Sequence, residues 1–261
     1  MNKALVVLAV IALGALAYWF YAQGQKMKPA PAPVLRWDAA PAPQVRVPDA
    51  APAIQHPLES ARDDRPLPPL DDSDPELRQR LGDLLGNARR IGETFIFQGL
   101  IRRIVATVDS LPREKVALDV WPVTPVPGEF AVDRAGDSAT ISRRNDARYL
   151  QRVKMAQSVD PRKVVALYRH FYPLFQKAYQ ELGYPTGYFN DRLVEAIDDM
   201  LSAPDVRDPV AVKMVGVKWG YVDGEMERRS AGQKIMMRMG GSNEAQMKVV
   251  LREFRRGIAR R

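Results

Sequence analysis

DPRKVVALYRHFYPLFQKAYQELG, residues 160–183, carries its own start and stop signals. Asp160 followed by Pro161 supplies a helix N-cap and a first helical residue whose missing N–H costs nothing there. Tyr168, Phe171, Tyr172, Phe175 and Tyr179 recur at three-and-four spacing, one face of a 3.6-residue period. Gly183 suits the left-handed position after a helix, and Pro173 is expected to kink the helix it interrupts. A helix of this length and aromatic content sets the class as mainly α.

The neighbouring blocks read the same way. Asp74-Pro75 is expected to cap and open a helix through Leu77, Leu81, Leu84 and Leu85, and Phe95–Leu111 carries a second apolar stripe. A Pro-punctuated stretch, Trp121–Gly128, leads to a small hairpin, Glu129–Val132 with Ala139–Ile141, around Gly136-Asp137. Ser142 is read as the cap of a helix over 143–157. After Gly183, the turn YPTGYFND leads into a helix capped by Asn190, with Leu193, Val194, Ile197 and Leu201 buried. Val210–Tyr221 alternates as a strand or two, broken near Gly216. Ser230 and Ser242 are read as caps of two last helices, with Met226, Met236, Met237, Met239 and Met247 as core filler.

The N-terminus has a different character. Ala4–Ala22 is uncharged and mostly apolar over 19 residues, roughly 28 Å as a helix, close to a bilayer core. Tyr18, Trp19, Phe20 and Tyr21 suit an interfacial belt. A cleaved signal peptide with Ala15-Leu16-Ala17 as its site is the rival; the retained anchor is preferred. Lys3 on one side against Lys26 and Lys28 on the other leaves orientation nearly tied, with the body expected in the periplasm and the anchor in the inner membrane. Residues 23–70 hold eleven Pro among 48 positions and no apolar period, so they are read as a disordered Pro/Ala-rich linker. Its reach is about 40 Å as a flexible coil. His56, alone in this linker, is expected to be solvated. The domain division is thus 1–22, 23–70 and 71–261.

Composition excludes much chemistry. With no Cys and two His, thiol catalysis, disulfide staples and Cys-ligated metals are absent, and a His-based metal site has too few ligands. There is no Gly-rich phosphate loop, no G-x-S-x-G and no S-x-x-K. The net charge of +8 comes mostly from one end: residues 247–261 hold six basic side chains and one acidic. This argues against specific nucleic-acid recognition. Cations there suit a helix C-terminus; the alternative is an anionic partner for Lys248, Arg252, Arg255 and Arg256.

The runs PLPPLDDSDP (66–75), RIVATVDSLP (103–112), RHFYPLFQ (169–176), ELGYPTGYFNDRLVE (181–195) and SAGQK (230–234) resemble a family of bacterial proteins described as domain of unknown function 3014. One departure is Arg143, where the resemblance would place Pro. The resemblance implies an N-terminal membrane segment, a variable Pro-rich tether and this domain, and it carries over no catalytic residue.

Candidate residues are few. Glu195 with Asp198 or Asp199 would share a helix face, a geometry suited to paired acid–base carboxylates but more usual as a solvated face. His170 is read as structural. The turn holding Tyr184, Gly187, Tyr188, Asn190, Asp191 and Arg192 places polar groups beside aromatic rings at a helix start, and is the place to look for a polar ligand. No catalytic residue, metal or cofactor is assigned. The expected function is a membrane-tethered envelope protein whose domain binds or scaffolds another envelope component without catalysis. A small-molecule or glycan-binding module is the alternative, and a carboxylate hydrolase the weaker one.

Overall fold

A computed structural model of the chain describes residues 53–58, 66–86, 88–115, 120–206, 208–216 and 218–259. The apolar run 4–22 and most of the linker lie outside the described residues. Among those described, no helix is long and apolar enough to cross a membrane.

The chain is mainly helical, with a small antiparallel sheet. Its helices are α1 (Asp74–Leu85), α2 (Ala88–Thr94), α3 (Leu100–Ser110), α4 (Arg144–Gln157), α5 (Pro161–Glu181), α6 (Phe189–Leu201), α7 (Gly224–Glu227), α8 (Ala231–Arg238) and α9 (Gly241–Ile258). Strands β1 (Val132–Ala135) and β2 (Ser138–Ile141) precede α4; β3 (Ala211–Val215) and β4 (Lys218–Tyr221) follow α6.

The α5 signals act as read: the Asp160 carboxylate accepts the Arg162 amide at 3.0 Å, and Gly183 follows the helix end at φ 120°. Pro173 lies inside α5, which continues to Glu181. Helices α3, α6 and α9 pack on α5, and α9 also packs on α4, α6 and α8. Their facing stripes make the main core, where Leu100, Val108, Phe171, Ile197, Leu251 and Phe254 are completely buried. Each such side chain contributes about 1.5–3 kcal/mol of transfer free energy. Phe175 stacks on Phe189 at 5.7 Å, and Tyr168 meets Phe254 edge-on at 5.9 Å, which joins α5 to α6 and α9. Met236, Met239 and Met247 are core residues.

Local signals were redirected at several places by tertiary partners. Asp74 is not the cap of α1; Ser73 precedes that helix, and the Asp74 carboxylate instead accepts the amides of Gly99 and Leu100 at 2.7 and 3.0 Å. It thereby caps α3 from outside. The stripe expected to begin at Phe95 becomes helical only at Leu100, because Gly99 sits at φ 70° and Phe95 pairs with Val123 as an isolated bridge. Asn190 does not cap α6 either. Gln176 on α5 does so, its Oε1 accepting the Phe189 amide at 2.9 Å while its Nε2 donates to Gly187 O at 2.7 Å.

The expected hairpin is half of a larger sheet. β1–β2 turns at Gly136 (φ 58°) and β3–β4 at Gly216 (φ 61°), and β2 pairs β3 through Ala139↔Val212 and Thr140↔Ala211. The result is a four-stranded antiparallel sheet in the order β1-β2-β3-β4. Val210, Val212, Tyr221 and Met237 form a second, smaller core beneath it.

Ser230 caps α8 by accepting the Gln233 amide at 3.0 Å, whereas α9 begins without help from Ser242. The entry to α9 requires glycine. Gly240 has φ 89°, and a Cβ there would lie 2.1 Å from Asp146 Oδ1 on α4. Gly240→Ala is expected to cost about 2 kcal/mol, a loss of about 4–8 °C in Tm. In an Asp146→Ala background the same change should cost measurably less, since the steric part is then relieved. Equal costs in both backgrounds would remove this explanation.

Candidate functional site

At the turn between α5 and α6, residues 53–58 meet the helices. Residues 53–58 lie across the start of α6 as a strap held by its main chain. The Asp191 carboxylate accepts two successive amides, Gln55 N at Oδ2 (2.9 Å) and His56 N at Oδ1 (2.7 Å). Asn190 Nδ2 donates to His56 O at 2.7 Å, and Leu58 N donates to the Tyr188 hydroxyl at 2.8 Å. Leu58 is buried into the main core. His56 is therefore not a solvated linker residue: it is half-buried, with Nδ1 enclosed and unpartnered. Hydrogen bonds to main-chain groups grip a segment largely regardless of its side chains, the chemistry of peptide recognition.

Asn190 is completely buried and serves three elements at once. Besides His56 O, its Nδ2 donates to Ile258 O at the end of α9 (2.9 Å), and its Oδ1 accepts the Tyr168 hydroxyl of α5 (3.1 Å). Burial pushes the Tyr168 hydroxyl well above its usual range, so it stays protonated and able to donate.

Beside the strap opens a pocket of about 530 Å³. Its aromatic side is made by Tyr179 and Tyr184, stacked at 4.6 Å, and by Tyr188. Gly187 lies in this wall because a Cβ there would come 2.8 Å from Tyr179. Burial pushes the Tyr179 hydroxyl up to about 12, and the Asp109 charge adds to the rise. Ala53 and Gln55 of the strap complete the rim.

The polar side is a closed network. Buried Asp109, near the end of α3, accepts Arg192 Nε at 3.1 Å on one oxygen, and Arg113 Nη2 together with the Tyr184 hydroxyl on the other. Arg192 also donates to Asp109 O and, at 2.7 Å, to Glu195 Oε2. Burial alone would pull the Arg192 guanidinium down, but Glu195 and Asp109 hold it above its ordinary value.

Beyond Asp191, the other three α6 carboxylates go to different partners. Glu195 pairs with Arg192, Asp198 with Arg255, and Asp199 accepts the Ser230 hydroxyl (2.5 Å) and Gln233 Nε2 (2.9 Å). Burial pushes the Asp199 carboxyl up, against the pull of those two donors. His170 Nε2 lies 3.4 Å from Glu76 Oε1 and edge-on to Phe171. Among the described residues no cluster of His, Asp and Glu has metal-holding geometry.

The structure gathers Tyr184, Gly187, Tyr188, Asp191 and Arg192 around one pocket, with Asn190 directly beneath the strap. It adds Asp109 and Arg113, hidden in sequence because they lie about 70 residues upstream with no shared motif. The cations of the last helix divide differently. Lys248 is buried, donating to Ala203 O (2.6 Å) and to Asp205 (2.7 Å) and Glu244 (2.8 Å). Arg255 pairs with Asp198, which leaves Arg252 and Arg256 as the exposed pair of those four.

If Asp191 holds the strap, Asp191→Ala removes two hydrogen bonds to a charged acceptor, at about 1.5–3 kcal/mol each. Amide exchange at Gln55 and His56 is then expected to quicken by at least about tenfold, with the buried amides of α5 and α9 unchanged. Unaltered protection of the strap would contradict the assignment.

The model of the family described as protein of unknown function (DUF3014) matches residues 100–255, from the first residue of α3 into the last turn of α9. The match covers more than half of the chain and includes every pocket residue except those of the strap. No curated protein and no solved structure matches. The chain belongs to this family.

Proposed function

We propose that this family member is a tethered, non-catalytic binding module of the bacterial envelope. In this reading residues 4–22 hold the chain in the inner membrane and the Pro-rich segment sets its reach. The helical domain, on the periplasmic side, presents the strap-lined face between α3 and α6 to another envelope component. The apolar run and the Pro-rich composition support the first two parts. The third rests on one observation: beside the clamped main chain of Gln55, His56 and Leu58 lies an open pocket walled by tyrosines. Aromatic walls with a few fixed polar groups are the usual make-up of a binding site.

A catalytic reading has less support. Asp109, Glu195 and Asp199 each have structural partners, and the two that line the pocket, Asp109 and Glu195, meet on the Arg192 guanidinium, which favours both staying ionised rather than sharing a proton. The exposed Arg256 favours no separate partner, since its position in the last turn of α9 already matches the helix dipole.

A photo-crosslinking amino acid at position 184 of the full-length protein in its own cells tests the reading. An adduct with a membrane or periplasmic component is expected, and it should be lost when the crosslinker is moved to position 249 on the exposed side of α9. No adduct at 184, or adducts only with cytoplasmic proteins, would count against it.

A further inference from the structure

The strap-rimmed pocket is more selective than a general contact face. Four of its five fixed charges pair with one another: Arg192 lies between Asp109 and Glu195, and Arg113 is bound to Asp109. Asp191 is engaged on both oxygens by strap amides. An ionic ligand would have to break one of these pairs, which disfavours it.

What remains available is single-point hydrogen bonding. Arg113 is half exposed, and both hydrogens of its Nη2 are directed to Asp109 and the Tyr184 hydroxyl. That removes the two-pronged edge a carboxylate or phosphate needs and leaves isolated N–H groups. Glu195, 60% exposed, has Oε2 on Arg192. The Gln55 side chain at the rim supplies both a donor and an acceptor. Against these stands the stacked Tyr179–Tyr184 pair. Scattered single donors and acceptors beside an aromatic face match a sugar ring, which has hydroxyls at its edge and a C–H face that packs on the electron-rich face of an aromatic ring. The volume, about 530 Å³, lies in the range of small-ligand sites.

The strap makes the site conditional. Ala53 and Gln55 form part of its rim, so the pocket is complete only when residues 53–58 are seated. A ligand touching the rim binds the seated state more tightly and holds the strap down by the same free energy.

We infer that this pocket binds a neutral saccharide and closes on it with the protein's own linker. The inference rests on the binding-module reading and names its ligand class.

The test uses the full chain in detergent, titrated by calorimetry with two probes, the trimer of N-acetylglucosamine and maltotriose. Saturable binding of at least one is expected, with a dissociation constant on the order of 1 mM or tighter. Tyr184→Ala and Arg113→Ala should each weaken it about tenfold. Leu58→Asp, which unseats the strap without touching the pocket, should weaken it to a similar degree. The bound probe should slow amide exchange at Gln55 and His56 in the wild type. That last readout needs no variant and decides the matter if a substitution unfolds the domain. Binding of neither saccharide, tighter binding of glutamate or spermidine, or binding indifferent to Tyr184→Ala would overturn the inference. Saccharide binding that leaves strap exchange unchanged would overturn the closure. A protein adduct at position 184 together with no saccharide binding would sink this inference alone and leave the binding module standing.

Discussion

One buried amide organises the face that matters. Asn190 has no access to water, so its donors and acceptor must find partners inside the protein or the fold loses about 1–3 kcal/mol for each left unmet. The partners it finds are His56 O on the strap, Ile258 O at the end of α9 and the Tyr168 hydroxyl on α5. Three other parts of the chain are thereby brought to the first turn of α6. The directions of Tyr188 and Asp191 follow, since both flank that turn and reach the next groups along the same strap.

Placing the strap there decides what kind of pocket lies beside it. The tyrosine wall comes from α5 and the turn after it, the arginine–carboxylate network from α3 and α6, and the rim from the linker. Because its charged groups are all engaged, the pocket offers shape, ring faces and lone hydrogen-bonding positions rather than a charge without a partner. A segment that also serves as a rim would tie the occupancy of the site to the seating of residues 53–58.

The sequence exposed whatever is encoded within one or two turns. The Asp160-Pro161 start, the aromatic face of α5, the Ser230 cap and the glycine turns at 136 and 216 are local chemistry and appear as read. Interactions that cross the chain were not legible. Asp74 and Asn190 had the composition of caps, but a residue suited to capping its own helix can equally cap another or serve a buried junction. Gln176 gave no capping signal because the helix it caps is not its own. The first hairpin and a strand or two around Gly216 are legible locally, but their joining through β2 and β3 depends on a pairing separated by some 70 residues.

The same distinction holds at the site. The turn from Tyr184 to Arg192 stood out in sequence because aromatic and polar residues alternate there with glycine. Asp109 and Arg113, which complete the pocket, sit in an ordinary amphipathic helix and the residues just after it. The strap was hidden most completely, since a Pro-rich segment without apolar period gives no sign that its few main-chain amides have a receptor. The most direct test of the account is a solution NMR measurement on the full-length protein, looking for nuclear Overhauser contacts between the Leu58 amide proton and the Tyr188 ring. The account predicts clear contacts with dispersed shifts for residues 55–58. Random-coil shifts for this segment and no such contacts would contradict it.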